Sequence, residues 1–136
     1  AYNEISSHVD AVVDWYGPTN FLIMDEWGSY FKKKKKKSPE SLLIGGAIQS
    51  NKNKCRLADP ATYINSNSAP FLIIHGDKDP LVPYCQSKYL YRLLKEDKIE
   101  AELITVEGGK HGPGVLTQKY FQKMIRFFDG QRKQKK

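Results

Sequence analysis

Cysteine is scarce in this chain. Cys55 and Cys85 are the only two among 136 residues; they form no Cys-x-x-Cys pair, and neither lies near a histidine at metal-ligand spacing. A structural zinc site is therefore not predicted, and nothing else in the sequence indicates a metal or a cofactor. We expect both residues to be small buried or half-buried thiols, while a disulfide between them stays open.

Long apolar runs are also missing. No stretch approaches the ~18 apolar residues that a membrane-spanning helix needs, and residues 1–4 lack the basic start and apolar run of a signal peptide. We predict neither feature in this chain, which leaves its localisation open. What is present is enough for one domain, because 40% of the residues are hydrophobic and 12% are aromatic.

Three short apolar segments are predicted to be strands. The first lies around Val12 and Val13 and stops at the Gly17-Pro18 turn. The second, residues 71–74, is apolar without alternation, which is typical of a strand covered on both faces of a parallel sheet. The third is residues 103–106. Segments long enough for crossover helices separate them, so the pattern predicts an α/β fold with parallel strands.

Helices are expected between and after the strands. Ser38 and Pro39 mark a helix start that Gly45-Gly46 ends, and residues 84–98 carry one apolar stripe. A last helix, which we expect Gly130 to close, has its apolar residues at helical spacing: Phe121, Met124, Ile125 and Phe128.

Polar candidate residues follow the predicted strands. Asp79 lies five residues beyond Ile74, His111 lies five residues beyond Val106, and Gly17 follows the first strand. Ligand sites in parallel sheets lie beyond the carboxyl ends of the strands. We therefore expect these loops to meet at one edge of the sheet, with Asp79 and His111 within hydrogen-bond reach.

Two motifs resemble the C-terminal part of α/β-hydrolases of the carboxylesterase, feruloyl-esterase-like and prolyl-oligopeptidase-like group. His75-Gly76-Asp77-Lys78-Asp79-Pro80-Leu81-Val82-Pro83 matches H-G-x-x-D-x-x-V-P, and Gly108-Gly109-Lys110-His111-Gly112 matches G-x-x-H-G. The resemblance runs from about Val9 to Phe128. It implies that Asp79 is the acid and His111 the base of a Ser-His-Asp triad, in the chain order Ser, Asp, His.

The same resemblance implies a substrate pocket and a substrate. Trp15-Tyr16-Gly17-Pro18-Thr19 resembles the loop downstream of the nucleophile helix, so Trp15, Gly17, Pro18 and Val82 are the predicted pocket residues. The implied substrate is a carboxylic ester, either a small molecule or an acyl group on a polysaccharide. No cofactor is implied.

A nucleophile is missing from the pattern. None of the 136 residues forms the G-x-S-x-G elbow, and the serines at Ser6, Ser7 and Ser87 lack flanking glycines, as does Cys85. We therefore interpret residues 1–130 as a partial α/β-hydrolase domain without its nucleophile half, followed by a basic tail at 131–136. Alone, it is expected to be an inefficient hydrolase.

Simpler interpretations compete with these assignments. Asp79 could be only a turn former, and His111 could be an exposed loop residue. His75 is interpreted as a structural residue that bonds the loop after its strand, and Asp77 as one that organises the turn.

Positive charge suggests a different class of function. The net charge is +7, and six consecutive lysines run from Lys32 to Lys37. Such blocks are usually solvated surface segments but also bind anionic partners. A catalytically silent basic domain that binds anions or another chain is thus the alternative, although no nucleic-acid motif accompanies the lysines.

Association with another chain is expected from what the fold would leave open. The strand from Val9 to Trp15 would have an unpaired edge and a helix would be missing from one sheet face. We predict self-association, or binding of the missing N-terminal half, through this edge.

Overall fold

A three-stranded parallel sheet organises the chain. The computed structural model describes residues 4–27 and 38–134; the lysine run from Lys32 to Lys37 lies outside them. The strands are parallel, as the sequence predicts, and they follow one another across the sheet in chain order. They are β1 (Val12–Trp15), β2 (Phe71–Gly76) and β3 (Ala101–Val106).

In the part of the chain that the structure describes, four α-helices accompany the sheet, with 3-10 segments at Phe21–Trp27, Ile48–Ser50 and Pro60–Tyr63. Among the described residues none of the helices is long and apolar enough to cross a membrane. The helices are α1 (Pro39–Leu43), α2 (Lys52–Leu57), α3 (Cys85–Glu96) and α4 (Gln118–Gln134).

Local signals explain where α1 and α3 begin or end. The Ser38 side chain accepts a hydrogen bond from Ser41 N at 3.1 Å, which caps α1 at its predicted start. Lys98 adopts φ +61° just after α3, and Ile99 N donates to Leu94 O at 2.8 Å. This geometry closes α3 with a left-handed residue that is usually glycine.

The C-terminal helix corrects one expectation. Gly130 does not end α4, which continues to Gln134 and includes Arg132 and Lys133. A glycine stops a helix when it takes a left-handed conformation, and Gly130 is not among the glycines with positive φ. The division of the chain after residue 130 stays a prediction, and its last two residues lie outside the described range.

Each face of the sheet has its own apolar cluster, because side chains alternate along a strand. Leu72 and Ile74 of β2 pack toward α4, whereas Ile73 packs toward α3. A third cluster joins the Phe21–Trp27 segment to α2 through Met24 and Cys55. Cys55 and Cys85 are buried, as predicted, and no disulfide joins them.

Candidate active site

Asp79 is held rigidly in the loop after β2. Its Oδ1 atom accepts hydrogen bonds from Leu81 N at 2.8 Å and from Val82 N at 2.9 Å. The aspartate is thus a turn former, as the simpler interpretation proposed, but this occupies only one of its two oxygens. Its side chain is fully buried, and its Oδ2 atom points toward the loop that follows β3 and contains His111.

His111 meets that second oxygen. His111 Nδ1 lies 2.8 Å from Asp79 Oδ2, which confirms the predicted contact between the two loops. Because a carboxylate only accepts hydrogen bonds, the proton between them belongs to His111 Nδ1. The Nε2 atom of the neutral ring then keeps a lone pair, and the His111 side chain is 31% exposed. This arrangement can accept a proton from a group that approaches from solvent.

Opposing effects set the acidity of Asp79. Burial raises the pKa of its carboxyl group, but hydrogen bonds from His75, Val82 N, His111 and Leu81 N together outweigh burial and hold the pKa below its usual range. The carboxylate is therefore charged at neutral pH. It is suited to orient an imidazole and to stabilise the imidazolium that forms when the ring takes up a proton.

His75 is fully buried behind this pair. Its Nε2 atom lies 2.9 Å from the Val82 carbonyl oxygen and 3.4 Å from Asp79 Oδ2. Its Nδ1 atom lies 2.6 Å from Ser87 Oγ on α3. The predicted structural contact between His75 and the following loop is confirmed.

Hydrogen bonds to backbone groups join the loop after β2 to the loop after β3. The Asp77 Oδ1 atom accepts from Gly108 N at 2.7 Å, so Asp77 joins the second loop rather than only organising its own turn. Lys78 N donates to Gly109 O at 3.0 Å. A β-carbon on Gly76 would collide with the carbonyl of Gly109, so this close approach requires glycine at residue 76.

Tyr16 was missed by the sequence reasoning. Its ring centroid lies 4.4 Å from that of His111, and its backbone has φ +45°, a left-handed conformation that is unfavourable for a bulky residue. This conformation places the Tyr16 ring beside the candidate base. The signal in the sequence was its position directly before Gly17-Pro18, at the end of β1.

Gln86 anchors the loop that follows β1. Its Oε1 atom accepts from Thr19 N at 2.8 Å and from Asn20 N at 2.7 Å, and its Nε2 atom donates to Asn20 O at 3.0 Å. The side chain is fully buried. A polar residue four positions before Leu90, on the apolar stripe of α3, was the signal that could have found it.

The residues predicted to line a substrate pocket have different surroundings. Trp15 packs against Phe121 of α4 with ring centroids 5.2 Å apart. Gly17 N donates to Asp14 Oδ1 at 2.9 Å, Pro18 is exposed, and the Val82 side chain is buried in the cluster with Met24. Their role in a pocket stays a prediction.

The side chains weighed as replacement nucleophiles differ in exposure. Ser87 is fully buried and bonded to His75, and Cys85 is buried at the start of α3. Ser6 and Ser7 are exposed. The hydroxyl of Ser87 is therefore inaccessible to a substrate.

The sequence match to a family model identifies the family of this chain. The chain belongs to the BD-FAE family, whose model matches residues 1–94. It is also 37% identical over 57 residues to Esterase LipQ of Mycobacterium tuberculosis, a stretch that is 42% of this chain and 14% of that protein.

Solved structures agree with this relationship. A truncated form of a carbohydrate esterase from gut microbiota is 36% identical, with a TM-score of 0.87 over 96% of this chain and 45% of that one. A bifunctional GH43-CE protein of Bacteroides eggerthii is 39% identical, with a TM-score of 0.85 over 96% of this chain and 18% of that one. The chain is a partial α/β-hydrolase of the esterase group and spans less than half the length of these relatives.

Proposed function

We propose that this chain supplies the acid and the base of a Ser-His-Asp ester hydrolase. The observation that carries the proposal is the 2.8 Å contact between His111 Nδ1 and the buried Asp79 carboxylate. Esterase relatives support ester hydrolysis as the reaction. The serine comes from a polypeptide segment outside these 136 residues.

Each residue has one task in this mechanism. His111 Nε2 accepts the serine hydroxyl proton as the serine oxygen attacks the ester carbonyl carbon. The protonated ring then gives that proton to the alcohol oxygen as its bond to the acyl carbon breaks, leaving an acyl-serine. Water repeats the sequence to release the acid. Asp79 keeps the proton of His111 on Nδ1 and stabilises the imidazolium in both halves.

The substrate that we propose is a carboxylic ester attached to a carbohydrate. One structural relative is described as a carbohydrate esterase. Trp15, Gly17, Pro18 and Val82 stay the proposed pocket residues, and we add Tyr16, because its ring lies beside the proposed base.

The serine-bearing segment has a surface on which to dock. Among the described residues β1 pairs only with β2, so its other edge is open. Phe121, Ile125 and Phe128 of α4 lie at the i, i+4 and i+7 spacing of one helix face, and they are 42%, 54% and 41% exposed. Trp15 of β1 contacts Phe121, so edge and stripe are continuous. We propose that a strand and a helix of the serine-bearing segment cover them.

An ester hydrolysis assay of the chain alone tests whether the nucleophile lies outside these 136 residues. With p-nitrophenyl acetate, the purified chain should give no p-nitrophenol burst that depends on His111, because no serine is positioned. His111→Ala and Asp79→Asn should leave the background rate unchanged. A burst that His111→Ala abolishes would contradict the proposal.

A chimera tests the positive half of the proposal. The chain replaces the matching 45% of the carbohydrate esterase from gut microbiota. Hydrolysis should be restored, and His111→Ala or Asp79→Asn should lower kcat by roughly 10⁴, while the exposed His8→Ala control should not. A folded chimera without His111-dependent activity would refute the roles assigned here.

The net charge of +7 supports a second candidate, a basic module that binds anionic partners. Arg132 and Lys133 lie exposed in the last turn of α4. Salt-sensitive binding to a polyanion such as heparin, weakened by replacing both residues with glutamine, would favour this function. Unchanged binding by that variant would count against a role for this end of α4.

A further inference from the structure

We propose that His75 is a positioning residue that fixes the orientation of Asp79 and, through it, the proton on His111. The proposal rests on the proposed function, because it assigns His75 to the acid–base pair described above. The contacts that carry it run from Ser87 through His75 and Asp79 to His111. We refer to these four residues as the relay.

The partners of His75 define its tautomer. The Val82 carbonyl oxygen can only accept, so the contact of 2.9 Å requires a proton on His75 Nε2. In the neutral ring Nδ1 then carries a lone pair and accepts from the Ser87 hydroxyl at 2.6 Å. Both ring nitrogens are thereby used inside a fully buried side chain, as buried polar groups require.

The same ring controls both oxygens of Asp79. The Nε2–H group of His75 lies 3.4 Å from Oδ2, a longer secondary contact beside its bond to Val82 O. That bond also fixes the peptide of Val82, whose N–H group donates to Oδ1. His75 therefore restrains the rotation of the Asp79 carboxylate on both sides. A carboxylate that cannot rotate presents Oδ2 to His111 at all times.

Ser87 completes the relay from outside the loops. It is fully buried on α3, so its hydroxyl ties the His75 ring to a helix rather than to a loop. An apolar residue of similar size at residue 75 would fill the space but would leave the Val82 carbonyl and the Ser87 hydroxyl unsatisfied. The hydrogen bonds of both ring nitrogens therefore explain why residue 75 is a histidine. Filling the space alone would not require one.

Imidazole NMR on the full chain tests this inference without any enzyme assay. Long-range ¹H–¹⁵N spectra should show His75 as the Nε2–H tautomer and His111 with a protected Nδ1–H proton. In His75→Leu the exchange of the His111 Nδ1–H proton should accelerate by about tenfold or more, because the carboxylate can rotate away. His75→Gln, which keeps a donor toward Val82 O, should recover part of the protection.

Two further variants separate positioning from stability. Ile73→Val lies on the same strand and face, is fully buried, and should leave the His111 proton unchanged. Ser87→Ala is the milder probe if His75→Leu does not fold, and it should also accelerate exchange at His111. Unchanged exchange in folded His75→Leu or in Ser87→Ala would overturn the proposal, as would an Nδ1–H tautomer of His75.

The proposed function can fail separately. If the chimera is inactive while the His75 variants alter the His111 proton, the relay stands and the esterase role falls. If the chimera is active and His75→Leu, still folded, keeps the full kcat and an unchanged pH profile, the esterase role stands and the relay falls.

Discussion

At the residue scale, the carboxyl groups of Asp79 and Asp14 behave in opposite ways. Asp79 has four hydrogen-bond donors, which keep its pKa low despite burial. Asp14 of β1 is partly buried; the loss of water around its carboxyl group raises its pKa, and the hydrogen bond from Gly17 N and the proximity of His75 only partly offset the increase. The charge of Asp79 is therefore stabilised by folding, whereas that of Asp14 is disfavoured.

This difference predicts how stability depends on pH. The raised pKa of Asp14 means that its contribution to stability is present below its unfolded pKa and is lost as pH rises through the folded one. Asp14→Asn keeps an oxygen for Gly17 N and removes the charge. The substitution should increase the free energy of unfolding at neutral pH. It should also make the free energy of unfolding fall less steeply as pH rises above about 4.

Urea unfolding of the wild type and of Asp14→Asn at several pH values measures this effect. For Asp79 the sign is reversed, because its stabilising contribution is present above the unfolded pKa and is lost as pH falls through the lowered folded pKa. Asp79→Asn should therefore destabilise the chain at neutral pH. Equal pH profiles for wild type and Asp14→Asn would contradict the assignment.

Gly76 gives a second prediction at this scale. Gly76→Ala should lower the free energy of unfolding by more than ~2 kcal/mol, because its β-carbon would collide with the backbone of Gly109. The His111 Nδ1–H signal should be lost with it, since both site loops must shift. Thermal unfolding with NMR measures both, and a stable variant with an intact signal would refute the close approach.

At the element scale, α4 carries a glycine where the sequence suggested a helix end. Gly130 lies within Gln118–Gln134, and, apart from its chain neighbours and the backbone of its own helix, no described atom lies within 4 Å of the position where its β-carbon would be. The helix therefore continues through a poor helix former. Contacts of Met124 and Phe127 with the sheet cluster hold α4 in place, so propensity at one position does not decide its length.

Gly130→Ala should raise the free energy of unfolding by about 0.5–1 kcal/mol, the usual difference between glycine and alanine inside a helix. Denaturant unfolding measures the gain. Gly108→Ala is the matched control: its site is equally open, but its φ of +68° makes alanine destabilising. A loss of stability in Gly130→Ala would contradict the helical state of Gly130.

At the scale of the whole molecule, the edge of β1 that is open among the described residues and the exposed stripe of α4 leave apolar surface uncovered. Without the serine-bearing segment that we propose, another copy of the chain can cover it. Light scattering should therefore give a mass above that of a monomer. We expect this at roughly tens of micromolar, a concentration at which weak association is detectable. A stable monomer would contradict this prediction.

Ile125→Lys should shift the chain toward monomer, because it places a charge in the centre of the stripe, where Ile125 is 54% exposed. Leu57→Lys is the matched control, since Leu57 is 71% exposed on α2, outside the stripe. An equal loss of association in both variants would show that general surface apolarity, not this stripe, holds the copies together.

Local patterns in the sequence predicted the three strands, three of the four described α-helices and the contact between two candidate site residues. The continuous apolar run before His75 set the central strand, Ser38-Pro39 set the start of α1, and the equal distances of Asp79 and His111 from their strands placed both at one sheet edge. These signals are readable because strand ends, caps and turns depend on neighbours in the chain.

Tertiary structure decided the rest, because the interactions join residues far apart in the chain. Gln86 holds the loop at Thr19 and Asn20 from α3, and Ser87 orients His75 from the same helix. Tyr16 adopts an unfavourable backbone conformation beside His111, and no local preference predicts this conformation. Gly130 stays helical because α4 packs on the sheet. Packing and buried hydrogen bonds outweigh local propensity at these positions, and only the folded chain brings their partners together.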